Sequence, residues 1–219
     1  LLELTCANAY IVDGQYSGQL SSLNVAGLAN LKKLNCNLNL LSSLDLTGLI
    51  SLEELSCDGV PNNLGQLTSL NVNNLTNLRT LSCNSQQLTS LNVSNLVNLK
   101  SLQCSHNNIN SLDLTGLINL EILEYAYNQL ANLNLVDLPS LKTLNCSYNQ
   151  LETLNVLNLT SLQVLICASN QLTTLNLAGL TNLITLDFSY NNLTLTNVSG
   201  LSPNLKSLVC VNNNLTSLD

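Results

Sequence analysis

The amino-acid sequence predicts a mostly β solenoid of about ten stacked coils, and three observations lead there. A 21-residue unit recurs without a linker, beginning at Leu99, Leu120, Leu141 and Leu162. One position in each unit holds a cysteine or an aromatic residue. Another position is almost always Gly, Asn or Asp. Self-similarity at a fixed period of this length is the mark of coils that bury their apolar faces only against one another.

The unit reads LxxLxCxxNxLxxLNVxGLxN. The cysteine position fixes the count: Cys6, Cys36, Cys57, Cys83, Cys104, Tyr125, Cys146, Cys167, Phe188 and Cys210. Extra residues enter at three places. No compositional break divides residues 1–219, so one domain is expected. Each unit has two halves built on Leu-x-Cys or Leu-x-Val triplets. Period-2 alternation of this kind predicts a short strand with one buried face in each half. Leu102 and Cys104 then point inward, as do Leu112 and Leu114. The Gly/Asn/Asp column includes Gly27, Gly48, Asn74, Asn95, Gly116, Asp137, Asn158, Gly179 and Gly200. These residues best tolerate positive φ, so a tight turn is expected there. The asparagines Asn39, Asn107, Asn128, Asn149, Asn170, Asn191 and Asn213 form a further column. Their amides are suited to satisfy buried turn backbone by donating and accepting at once.

Aromatics make up 3% of the chain, so aliphatic residues must fill the core. The eight cysteines share one inward position. Parallel Cβ vectors in such a column hold neighbouring Cβ atoms too far apart for good disulfide geometry. A single column also does not converge into four zinc ligands. Reduced, buried thiols are expected, and no metal or cofactor.

Six Lys and Arg against thirteen Asp and Glu give a net charge of −7. That balance disfavours nucleic acid and anionic membranes as partners. No apolar run is long enough for membrane insertion. The chain contains no Met and begins and ends inside a repeat, so it is expected to be a piece of a longer protein. The only histidine is His106, and no nucleophile motif, phosphate loop or convergent carboxylate pair is present. No catalytic residue is expected.

Two features carry the binding expectation. His106, Tyr127, Tyr148, Ser169 and Tyr190 occupy the position two residues past the marker, where stacking would give an aromatic stripe. Residues 7–19 hold an insertion whose Asp13-Gly14 signals a hairpin carrying Tyr10 and Tyr16. That hairpin suits, slightly better, a cap over the open end of the core. A second insertion, Asp58 to Asn63, predicts a compact loop. The Lys and Arg residues cluster at the strand entries, where mixed charge discourages misregister.

The pattern resembles the leucine-rich-repeat superfamily, in particular the bacterial 21-residue nested class sometimes called IRREKO, with a likeness to internalin-type repeats. The resemblance implies a leucine-rich-repeat solenoid of the α/β-horseshoe superfamily, right-handed, with a parallel sheet on one face and little regular helix. It also implies an extracellular or cell-surface bacterial protein that binds a protein or glycan ligand. Two alternatives accompany this expectation. Paired small polar columns such as Ser42-Ser43 and Thr89-Ser90 suit ice or crystalline polysaccharide. The chain would alternatively be the targeting module of an enzyme whose catalytic part lies elsewhere.

Overall fold

A computed structural model describes residues 1–7, 11–12, 15–16, 20–60, 65–194 and 202–216. Ten three-residue strands form one parallel sheet: β1 (Glu3–Thr5), β4 (Lys33–Asn35), β5 (Glu54–Ser56), β6 (Thr80–Ser82), β7 (Ser101–Gln103), β8 (Ile122–Glu124), β9 (Thr143–Asn145), β10 (Val164–Ile166), β11 (Thr185–Asp187) and β12 (Ser207–Val209). Their spatial order follows the chain, and every pair is in unbroken register, as in Leu102 opposite Leu123 and Leu123 opposite Leu144. Eight of these strands have a neighbour on both sides. No helix is present among the described residues. Strands β2 (Ile11–Val12) and β3 (Gln15–Tyr16) pair antiparallel, with Val12 opposite Gln15. The first insertion therefore holds an antiparallel pair, as the hairpin expectation required. Asp13, Gly14 and Tyr10 lie outside the described residues. Tyr16 is placed by its backbone in β3.

The core is a continuous column of leucines and thiols. Leu31, Leu52, Leu78, Leu99, Leu120, Leu141, Leu162 and Leu183 have no exposed surface. The eight inner strands bury their central leucine, as the alternation predicts; at the two end strands, each with one neighbour only, Leu4 is half-buried and Leu208 exposed. All eight cysteines are free thiols, six of them buried, with Cys6 and Cys210 half-buried at the two ends. Burial pushes the Cys36 thiol up to about 12 and that of Cys146 to about 12. Cys57, Cys83, Cys104 and Cys167 are raised strongly for the same reason.

Tyr125 and Phe188 fill the same column and are wholly buried. The Tyr125 hydroxyl is the one buried side-chain polar atom among the described residues without a hydrogen-bond partner. An unsatisfied buried hydroxyl costs about 1–3 kcal/mol. Phe188 shows that a bare ring fits the position. Tyr125→Phe is therefore expected to stabilise the protein by about 1 kcal/mol, read as a rise in urea midpoint. A fall in midpoint would show a partner for this hydroxyl.

The second half of each coil departs from expectation. Leu112 and Leu114 are buried around exposed Asp113, so the alternation holds, yet no strand forms. The reason is a local hydrogen bond. On eight successive coils, from Asn24 to Asn176, the Asn or Asp between the two apolar residues accepts the backbone N–H two residues on, at 2.9–3.2 Å. The side chain takes a donor that a strand would offer to its neighbour, and the chain turns. Positive φ follows at Gly27, Gly48, Gly116, Asp137, Asn158 and Gly179. Asn74 and Asn95 are not among the positive-φ residues, and Gly200 lies outside the described ones.

The asparagine ladder forms as expected. Asn149 Nδ2 donates to the carbonyls of Tyr125, Cys146 and Ser147, and its Oδ1 accepts the Leu130 N–H. On the coil of Cys83 the ladder position is Gln86. Gln86 Nε2 donates to the Cys57 carbonyl at 2.7 Å, and its Oε1 accepts the Leu67 N–H at 3.0 Å. The extra methylene spans the coil widened by the second insertion, of which Pro61, Asn62 and Asn63 lie outside the described residues. Beside it the Ser85 carbonyl rests against Gly59 and Gly65. A Cβ on either glycine would overlap that oxygen. Backbone cannot yield as a side chain does. Gly59→Ala is expected to cost about 2–3 kcal/mol, lowering Tm by several degrees. An unchanged melting curve would refute the close packing.

Candidate functional site

The position two residues past the marker lies where each strand leaves the sheet. Its backbone is left-handed on nearly every coil: Leu38, Ser85, His106, Tyr127, Tyr148, Ser169, Tyr190 and Asn212 have φ between 53° and 58°. For an aromatic residue this conformation costs on the order of 1 kcal/mol, and Gly or Asn would adopt it more easily. It is held by bonds between coils. The Tyr127 N–H donates to the Ser147 carbonyl at 2.9 Å, and the Tyr148 N–H to the Ala168 carbonyl at 2.9 Å. The neighbouring asparagine ladder fixes the next residue from inside.

The common backbone aligns the side chains. The rings of His106 and Tyr127 stack with centroids 4.2 Å apart and planes 12° from parallel. Tyr127 and Tyr148 stack at 4.0 Å and 9°. A hydrogen bond to Tyr148 raises the Tyr127 hydroxyl above its ordinary value, with burial and the neighbouring phenol adding to it. The structure thus joins three of the sequence-predicted residues into one array. Ser169 interrupts it, and Tyr190 stands one coil beyond. Exposure is 43% at Tyr127, 48% at Tyr148 and 57% at Tyr190, rising as ring faces lose their neighbours.

The strand entries carry the charge. Lys32 and Arg79 flank Glu53 at 2.7 and 3.8 Å, and Lys142 and Lys100 flank Glu121 at 2.7 and 3.6 Å. Lys33 pairs with Glu54 at 2.9 Å. Hydrogen bonds from Lys32 and Lys142 hold Glu53 and Glu121 below the usual carboxylate range, with attraction to the same lysines next. These half-exposed pairs are individually weak. They neutralise the rim and leave no broad cationic face.

A feature not visible in the sequence reading lies on the opposite edge. Asn77, Asn98, Asn119 and Asn182 each donate from Nδ2 to a carbonyl of the preceding coil, at 2.8–3.0 Å. Ser140 and Ser161 replace the asparagine on the two coils between. There a groove of about 610 Å³ opens, walled by Ile118, Val136, Pro139 and Leu157. Val136 and Leu157, apolar where most other coils hold Thr, Ser, Asn or Ala, are the signal the sequence carries for it.

Among the described residues no three His, Cys, Asp or Glu side chains are grouped to hold a metal ion. No helix of the described chain is long and apolar enough to cross a membrane. His106 has the Tyr127 ring against it, and among the described residues no acid is hydrogen-bonded to its imidazole. The acidic residues Asp45 and Asp113 accept their own turn N–H groups, and the hydroxyls and N–H groups of Thr47 and Thr115 keep their carboxyls low.

No protein-family profile matches the chain, and no curated protein matches it. Solved structures do. The functional domain of InlJ from Listeria monocytogenes, described as including a cysteine ladder, is similar over 100% of this chain and 55% of its own, at 29% identity and a TM-score of 0.72. A leucine-rich-repeat protein of Leptospira interrogans is similar over 87% of this chain and 63% of its own, at 26% identity and a TM-score of 0.68. The chain thus spans less than two thirds of the length of either. TLR13, solved in complex with a single-stranded RNA, shares the fold over 89% of this chain and 33% of its own, at 22% identity and a TM-score of 0.63. With its ten-stranded parallel sheet and its column of free thiols, the chain is a leucine-rich-repeat solenoid that matches those of bacterial leucine-rich-repeat proteins.

Proposed function

We propose that this solenoid is a non-catalytic binding module of a secreted or cell-surface bacterial protein, and that it takes a protein partner along the strand-exit edge. One observation carries the reading. Three aromatic rings are held parallel and open to solvent, on a left-handed backbone that favours other residues. Stacked coils fix those rings before the partner arrives, so docking costs little ordering entropy. Tyrosine supplies stiff, amphipathic contact area at such surfaces. Tyr190 extends the edge toward the C-terminal coils, and Tyr10 and Tyr16 belong to the same proposal as candidate binding residues. Net charge of −7 disfavours an RNA partner, because phosphate binding needs cations and the described lysines and arginines sit on the strand-entry rim, all but Lys206 in ion pairs.

Peptides selected on the intact protein from a random displayed library provide the probe. Tyr127→Ser combined with Tyr148→Ser is expected to weaken their binding at least tenfold, about 1.4 kcal/mol. Ser85 and Ser169 occupy the same left-handed position, so Tm should stay within about 3 °C. Undiminished binding removes the ladder from the function. A glycan surface is the second reading, favoured by exposed pairs such as Ser42-Ser43, Thr89-Ser90 and Thr173-Thr174 on stacked coils. Exposed Glu152 and Ala131 interrupt that array. Co-sedimentation with chitin or cellulose, and thermal hysteresis for ice, test it directly.

A further inference from the structure

We propose that the gap over Ser169, between the rings of Tyr148 and Tyr190, is a slot for the planar guanidinium of an arginine on the protein partner. The inference rests on the binding role given above to the tyrosine ladder and names the group that anchors there.

The ladder sets the size of the gap. Rings on adjacent coils repeat every 4.0–4.2 Å. Two coil steps separate Tyr148 from Tyr190, about 9.5 Å at the spacing of neighbouring strands. A flat group in van der Waals contact with both faces needs about 7–8 Å, a span the two rings reach by leaning toward each other, as the stacked neighbours lean to 4.0–4.2 Å. The backbone does not break at the gap: φ is 53° at Tyr148, 55° at Ser169 and 54° at Tyr190. The Ser169 N–H donates to the Ser189 carbonyl at 2.9 Å, continuing the bonds of its neighbours. Only the ring is missing from the stack, where the short Ser169 stands in the column. Tyr148 and Tyr190 are also the more exposed tyrosines, as rings with an uncovered face must be.

Charge selects the kind of flat group. The six Lys and Arg residues stand at strand entries, none of them on the strand-exit edge. The outward residue at the exit of β11, on the coil of Tyr190, is Asp187, and Glu124 stands at the exit of β8, two coils before the slot. Asp187 Oδ1 accepts from the Ser189 N–H and hydroxyl, at 2.9 and 2.6 Å, which orients that carboxylate at the strand exit. A cation over a tyrosine face is attracted by the ring quadrupole. Guanidinium is flat and stacks, whereas the lysine ammonium is compact and strongly hydrated. A nucleobase is also flat, but it brings phosphates toward a chain of net charge −7.

The test uses the intact protein with isotope-labelled tyrosine rings, observed by NMR. N-acetyl-arginine amide is the probe, with N-acetyl-lysine amide and uridine as comparators. Arginine amide should shift the Tyr148 and Tyr190 ring signals saturably and leave buried Tyr125 unmoved. The lysine compound should bind at least fivefold more weakly. Ser169→Tyr fills the gap on a backbone that already carries tyrosine on neighbouring coils. It should abolish the arginine response with Tm preserved. The slot is overturned by an equal lysine response, by tighter uridine binding, by an arginine response that survives Ser169→Tyr, or by no response. Selected peptides that lose binding to the Tyr127→Ser/Tyr148→Ser variant but bind Ser169→Tyr normally also overturn the slot, and leave the ladder standing. Peptides indifferent to both variants overturn the ladder itself.

Discussion

Between pH 8 and pH 10.5 the protein is expected to lose its fold in one steep transition. Six thiols, those of Cys36, Cys57, Cys83, Cys104, Cys146 and Cys167, are buried in the core column. Burial raises each of them well above the ordinary value of 9.0, with Cys36 and Cys146 at about 12. In the unfolded chain the same thiols ionise near 9. Below that pH both states hold their protons and the thiols do not make stability depend on pH. Above it the unfolded chain releases protons that the folded chain must keep, so unfolding gains about 1.4 kcal/mol per pH unit for each thiol. Six thiols acting together remove about 10 kcal/mol by pH 10.5, which is comparable to the whole stability of an ordinary domain. Urea unfolding under reducing conditions, repeated from pH 7 to 10.5, reads the slope. Replacing Cys83, Cys104 and Cys146 with valine should halve it. Stability that stays flat to pH 10.5 would mean that these thiols are accessible to water and that the column is not the core.

Asn149→Ala is expected to cost about 3–5 kcal/mol, far more than its size suggests. The Asn149 amide donates to three carbonyls, each at 3.1 Å, and its oxygen accepts the buried Leu130 N–H at 3.0 Å. Truncation leaves the buried Leu130 N–H with no partner and takes one of two donors from each of the three carbonyls, which keep Asn128, Asn170 and the Tyr127 N–H. The exposed Asn92 is the control. Its side chain makes only local bonds, to the N–H and hydroxyl of Ser94, and water replaces them readily. Asn92→Ala should cost less than about 1 kcal/mol. Urea midpoints of the two variants measure the contrast, and equal losses would refute the interior ladder.

Much of this architecture is legible in the chain. The 21-residue period, the inward marker and the reduced thiols follow from which residues recur and how far apart. Burial selects residue type, and a solenoid repeats burial at one spacing. The asparagine ladder is legible for the same reason, since a buried turn needs a side chain that donates and accepts. The second-half strands were misread because Leu-x-Leu alternation reports which side is buried, not which backbone bonds form. The middle Asn or Asp of that triplet was the deciding residue. Gln86 escaped notice as a ladder member because its added methylene matters only where the insertion widens the coil.

The candidate site divides along the same line. Sequence alone determined that His106, Tyr127, Tyr148 and Tyr190 share one column, because column membership is counted from the repeat. Tertiary structure decided that the column is left-handed, that three rings meet face to face, and that the backbone continues unbroken through Ser169. Those properties belong to contacts between residues 21 or 42 positions apart. They are set by the rise from coil to coil, a distance fixed by hydrogen bonds between neighbouring backbones and written in no single repeat.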